Sequence, residues 1–223
     1  TGRRLPLGFA EMKLDPFPRF FPLDRAAAFS DGVFAVVITL LVLGIEVPSE
    51  SGLTGAELDA MLDKLAHQVL VYFVCFWLVG MYWFHQSLLF DSLKGMDRPL
   101  MAMNLVFLLP VTLLPFVTQL MGARRDEWQV VAAFAVTNLI AALAFHRMWS
   151  HVASQSGVHK NEQTALLARR VTFALRLFSG IMVGGVLVSL INVRAGIACF
   201  LLTPIAAFYG YVRDPLRSTT SSE

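Results

Sequence analysis

The sequence predicts an all-α membrane protein with six transmembrane helices, and three observations predict it. Of its 223 residues 56% are hydrophobic and only 15% charged, with a mean hydropathy of +0.62. A soluble domain of this length carries about a quarter charged residues. The apolar residues gather in six runs long enough to cross a bilayer, separated by short polar segments. Lys and Arg alternate between the two sides of those runs: 13 of the 18 fall on one set of connecting segments, 4 on the other, and Arg176 lies within the fifth run. Such a bias places both termini in the cytoplasm.

Residues 1–25 form a cytoplasmic N-terminal segment. Pro16-Phe-Pro-Arg-Phe-Phe-Pro22 is incompatible with a regular helix and suits the membrane surface. The first span runs from Ala26 to Ile45, 20 residues with one charge, Asp31. At 1.5 Å per residue it is about 30 Å long, the thickness of the hydrocarbon core. No small-residue cleavage site follows it, so it reads as a retained span and not a signal peptide. Between the first two spans, five acidic residues stand against Lys64, and the composition predicts a turn followed by a short amphipathic helix. The remaining spans are expected at His67–Phe90, Pro99–Met121 (with Pro110 and Pro115 kinking it), Trp128–Trp149, Val171–Ile191 and Ala195–Val212. The transmembrane domain thus covers residues 26–212, and residues 213–223 read as a flexible cytoplasmic tail.

On a helical wheel the first span carries Val36, Thr39, Leu40 and Leu43 in one stripe, which meets Gly32 and Phe29 on the cytoplasmic side. Two readings fit this stripe. In a symmetric bundle it supplies apolar rings that gate a pore by dewetting, and a hydroxyl ring that helps replace an ion's hydration shell. Otherwise it packs against a neighbouring helix, with Thr39 bonded to a carbonyl one turn back.

Arg25-x-x-x-Phe29-Ser30-Asp31, followed by Gly32-Val-Phe-Ala-Val36 and Thr39-Leu-Leu-Val-Leu43, resembles the signature of the transmembrane protein 175 family of potassium channels. Trp83-Phe84-His85, Asn104-Leu-x-x-Leu-Leu-Pro110 and Pro115-Phe116-x-Thr118 extend the resemblance to about Thr118. It implies a homotetramer whose first helix lines a central pore, as in prokaryotic members with one six-span repeat. The narrowest apolar ring then falls at Val36, with Leu40 and Leu43 on the following turns and a selectivity role at Thr39. Family members often carry Ile or Leu where Val36 stands, which implies a wider constriction here. The resemblance further implies that the permeant ions are potassium and other monovalent cations, potassium being weakly preferred over sodium. No cofactor is implied, and the expected location is the plasma membrane, in contact with its lipids.

Buried polar residues need partners. Arg25 and Asp31 are six apart and do not share a helix face, so their expected partners are Trp83, His85 and Asn104, and Arg25, Phe29, Ser30 and Asp31 read as organisers of the pore rather than ion ligands. The alternative is a proton-coupled carrier or proton-permeable protein using Asp31 and His85 as a relay. A scaffold without transport is the third possibility. Among other features, Gly180-x-x-x-Gly184, beside Gly185, reads as a helix-packing patch, His146, His151 and His159 as a solvated surface, and Arg124 with Arg125 as a lipid-headgroup contact or a plain loop. Cys75 and Cys199 lie in apolar runs, so neither a disulfide nor a zinc site is expected. The small net charge of +2 and the scattered basic residues exclude nucleic acid. No serine has an accompanying base and no phosphate loop occurs, which argues against an enzyme.

Overall fold

The computed structural model describes residues 20–46, 54–124, 126–154 and 163–204. The element order is β1 (Phe20–Phe21), α1 (Leu23–Val42), α2 (Ala56–Asp91), β2 (Met96–Asp97), α3 (Arg98–Ala123), α4 (Trp128–Ser154), α5 (Gln163–Ser189) and α6 (Val193–Phe200). Residues 1–19, the tail at 213–223, the expected end of the sixth span at 205–212, Arg125 and His159 lie outside the described residues. Among the described residues, α1 to α5 each contain a stretch long and apolar enough to cross a membrane, while the Val193–Pro204 stretch is shorter.

Three local features differ from the sequence expectation. Helix α1 begins at Leu23 and ends at Val42, about one turn earlier than expected, because Pro22 fits the position just before a helix and Gly44 ends the run. Among its described residues the acidic segment forms no separate amphipathic helix. It continues without a break into the second span as the 36-residue α2. Ala56 to Ala66 contains neither Pro nor Gly and consists largely of good helix formers, so nothing stops the helix until the span has begun. Gly55 turns the chain into α2 at φ 60 and ψ −131, a conformation open to glycine. Finally, β1 pairs antiparallel with β2, Phe20 opposite Asp97 and Phe21 opposite Met96. This short ladder ties the start of α1 to the start of α3.

The core lies mainly between α1, α2, α3 and α4 and extends to α5 and α6 through Val171, Met182, Ile197 and Phe200. The buried side of α1 is Ala26, Ser30, Phe34, Val37 and Leu41, spaced by three or four residues. Phe34 meets Phe107 of α3 at 6.3 Å between ring centroids, and Phe107 in turn meets Tyr82 of α2 at 5.8 Å and Phe145 of α4 at 5.2 Å. The Tyr82 hydroxyl donates to Asn138 Oδ1 of α4 at 3.0 Å, and Asn138 Nδ2 donates to the Phe134 carbonyl at 2.9 Å, which satisfies both buried polar groups. Pro110 and Pro115 lie within the unbroken α3.

Of the three glycines in the small-residue patch, Gly185 packs as expected and the other two do not. A Cβ built on Gly180 or Gly184 meets nothing within 4 Å. The close contact is made by Gly185 and Gly196 instead: a Cβ on Gly185 would run into the Phe200 ring, and one on Gly196 would lie 2.7 Å from the Gly185 carbonyl oxygen. These two glycines let α5 and α6 approach backbone to backbone.

Candidate pore helix and its polar anchor

The N-terminal half of α1 is held from behind by three buried side chains on three helices. Asn104 Nδ2 of α3 donates to Ser30 Oγ of α1 at 3.1 Å. Gln86 Nε2 of α2 donates to Asn104 Oδ1 at 2.5 Å and reaches Ser30 Oγ at 3.4 Å. Ser30, Gln86 and Asn104 are all buried, so this triangle replaces water at polar groups that would otherwise be costly. One residue further along α1, Asp31 Oδ1 accepts from Trp83 Nε1 at 2.8 Å, a charge-assisted bond at the exposed edge of α2. Trp83 and Gln86 are three apart on α2 and share a face. They therefore grip the consecutive residues Ser30 and Asp31 together.

Of the residues picked from the sequence, Ser30, Asp31, Trp83 and Asn104 meet here, and His85 does not. Its Nδ1 lies 2.7 Å from the Met81 carbonyl oxygen within α2. A carbonyl only accepts, so Nδ1 carries the proton of that bond. The ring lines an apolar crevice with Tyr82, Phe145, Val171, Leu175 and Phe178 between α2, α4 and α5, and no hydrogen bond links it to Asp31. Arg25 is exposed and forms no ion pair with Asp31. Gln86, the residue that closes the triangle, was missed by the sequence reading. Its signal was an uncharged polar residue in an apolar run, one turn beyond Trp83.

The opposite side of α1 is bare. Phe29 is 53% exposed, Val36 56%, Leu40 41% and Leu43 71%, and Arg25, Gly32 and Thr39 are exposed with them. At 3.6 residues per turn the exposed positions span an arc of roughly 180°, with Gly32 and Thr39 near its middle and Phe29, Val36 and Leu40 toward one edge. Among the described residues no other helix packs on the Val36–Leu43 stripe. The Thr39 hydroxyl lies 3.0 Å from the Ala35 carbonyl and 2.9 Å from the Val36 carbonyl. Both carbonyls accept, so the hydroxyl hydrogen points back into the helix and the oxygen lone pairs remain free.

Residues 25–115, which carry both the anchor and the bare stripe, match the family described as the endosomal/lysosomal potassium channel TMEM175. A potassium channel of Streptomyces collinus is 32% identical over 200 residues, covering 86% of this chain and 93% of that protein. The chain belongs to the TMEM175 family. A potassium channel of Chamaesiphon minutus is 30% identical over 182 residues, covering 80% of this chain and 90% of its own. The crystal structure of a lysosomal potassium-selective channel TMEM175 homolog from Chamaesiphon minutus superposes with a TM-score of 0.71 at 26% identity, over 84% of this chain and 97% of that one. Human TMEM175, named an endosomal/lysosomal proton channel, is 32% identical over 137 residues, 57% of this chain but 27% of the human protein. Membership in this family makes the chain a membrane-embedded cation channel and not an enzyme.

Proposed function

We propose that this chain forms a homotetrameric channel of the cell membrane that passes potassium somewhat better than sodium, with α1 of each subunit lining the path. The observation that carries this reading is the bare apolar stripe of α1. A helix that is anchored from behind by buried polar bonds, yet leaves Val36, Leu40 and Leu43 uncovered along one line, is built to face other copies of itself. Four such stripes around an axis give stacked rings at Val36, Leu40 and Leu43 that wet or dry the path. Thr39 stands between them with its hydrogen occupied and its lone pairs outward, a ring that favours cations and can substitute for hydration water. The bacterial relatives named as potassium channels support the choice of ion. The excess of Lys and Arg on one set of connecting segments supports cytoplasmic termini, with residues 26–212 as the channel domain between two cytoplasmic segments.

Proton permeation is the second reading, favoured by the animal relatives named as proton channels. An Asp31–His85 relay is not its best form, because Asp31 is bonded to Trp83 and His85 to a carbonyl of its own helix. The test is cation flux in liposomes holding the purified protein, under separate potassium, sodium and proton gradients. Potassium flux driven by its own gradient and exceeding that of sodium is the expected result. Flux that appears only with a proton gradient would overturn the channel reading in favour of a carrier, and proton flux alone would select the second reading.

A further inference from the structure

Arg176 is a cation inside a membrane span with no ion-pair partner among the described residues. It lies on α5, five residues into the apolar stretch Val171–Ser189, and it is exposed. Among the described residues the ion pairs join Lys64 to Glu46, Arg124 to Glu127, His151 to Asp97 and Arg194 to Asp63, and none involves Arg176. A guanidinium facing hydrocarbon is costly and must find an anion or water. Five residues correspond to about 7.5 Å of helix, and helical side chains lean toward the N-terminus. The long Arg176 side chain therefore reaches back to the headgroup level at the start of the apolar stretch, just after Arg169 and Arg170 in sequence.

What lies below the cation fits the rest of an amphiphile. Gly180 and Gly184 open a channel on the same side of α5, with nothing within 4 Å of a built Cβ at either. Phe173, Leu177, Val183 and Leu187 are exposed along it. A second copy of the chain is the competing occupant, but it has little to offer the charge. Within the six apolar runs the sole carboxylate is Asp31, and Asp31 is bonded to Trp83. A phosphate matches the guanidinium fork in two bonds, and an acyl chain fills a shallow apolar channel.

From this placement we propose that Arg176, with the channel at Gly180 and Gly184, binds an anionic phospholipid of the leaflet at the N-terminal end of α5. The phosphate sits on the guanidinium and an acyl chain runs along the glycines.

The test is retention of phosphatidylglycerol against phosphatidylcholine by the purified full-length protein, counted by native mass spectrometry after exchange into detergent. Wild type is expected to keep phosphatidylglycerol selectively, and Arg176→Gln to lower that retention about five-fold, the weight of one basic residue at an anionic surface. Gly180→Leu, which keeps the cation and blocks the channel, should lower it as well. Arg176→Lys should fall between wild type and Arg176→Gln, because the charge remains and the fork is lost. Excess inorganic phosphate should leave retention unchanged; displacement by phosphate would mean a simple anion site and overturn the lipid assignment. Equal retention by wild type, Arg176→Gln and Gly180→Leu would also overturn it. So would an Arg176→Gln protein with altered subunit number and unaltered retention, which would mark a contact between copies. If Arg176→Gln fails to fold, Gly180→Leu and Arg176→Lys decide the matter. The readout is lipid, independent of which ion the channel passes.

Discussion

Replacing Gln86 with Met tests whether the buried triangle holds α1 in place. Met has nearly the length and volume of Gln, so packing in the core changes little. What disappears is the bond to Asn104 Oδ1 and the longer one to Ser30 Oγ, while the Asn104–Ser30 bond at 3.1 Å survives. A hydrogen bond between helices in a membrane contributes about 1 kcal/mol, and the stranded Asn104 oxygen adds a share, so the expected loss is about 1–2 kcal/mol. That is roughly a five- to thirty-fold change in the folded-to-unfolded ratio. The informative measurement is a double-mutant cycle with Asn104→Leu, following reversible unfolding in mixed detergent by tryptophan fluorescence. Once Asn104 is apolar, Gln86→Met strands nothing further on α3, and the double variant should cost less than the sum of the singles by about 1 kcal/mol. Additivity within about 0.5 kcal/mol would show that the two side chains are not coupled. The reasoning about a shared anchor would then be wrong, whatever each single variant does.

Three further outcomes are expected. Val36→Asn should wet the constriction, raising single-channel conductance several-fold and weakening selectivity in planar bilayers; if Val36→Asn and Leu40→Asn both leave conductance unchanged, the α1 stripe is not the narrow part of the path. Gly185→Leu should lower the thermal midpoint strongly, because its side chain would collide with Phe200 and stand 3.1 Å from the Gly196 carbonyl oxygen, whereas Gly180→Leu should leave the midpoint unchanged. Asp97 accepts from the Leu100 amide at 2.9 Å as the cap of α3 and pairs with His151 of α4 at 2.8 Å; Asp97→Ala should cost about 1 kcal/mol or more in thermal unfolding, and Asp97→Asn, which keeps a good cap, less.

The parts of this fold that were legible in the sequence depend on local pattern. Apolar runs gave the spans because a bilayer sets their length, and the wheel gave the stripe of Val36, Leu40 and Leu43. The wheel alone does not say which apolar stripe of α1 faces what. Phe34, Val37 and Leu41 are as apolar as Val36, Leu40 and Leu43, yet the first set is buried and the second bare. In a membrane helix hydrophobicity no longer marks the inside, so the buried side is declared by Ser30, whose hydroxyl must find a partner. The resemblance named Trp83 and Asn104, but Gln86 and the Tyr82–Asn138 bond required knowing how α2, α3 and α4 rotate about their axes. The Gly185–Gly196 contact was missed for a related reason. Spacing singles out Gly180 and Gly184 on one helix, while close approach depends on what the neighbouring helix presents. The length of α2 was missed because acidic residues were read as a boundary, although Glu57, Asp59 and Asp63 are no obstacle to a helix and favour its first turns.

The arrangement of α1 also bears on how a channel of this kind discriminates among cations. Its one ionised group among the apolar residues, Asp31, is turned away from the Val36 stripe and tied to Trp83, so in the proposed pore no ring of carboxylates concentrates cations at the constriction. Preference must then come from dehydration: apolar rings strip water, and the neutral oxygen at Thr39 returns part of what is lost. Thr39→Val removes that oxygen while keeping the shape of the side chain. Since the hydroxyl bonds only to carbonyls of its own helix that already have backbone donors, stability should change by less than about 0.5 kcal/mol. The potassium-to-sodium permeability ratio, read from reversal potentials under bi-ionic conditions, should fall toward one. A ratio that stays at the wild-type value would remove Thr39 from the selectivity mechanism and leave the width of the apolar rings as its source.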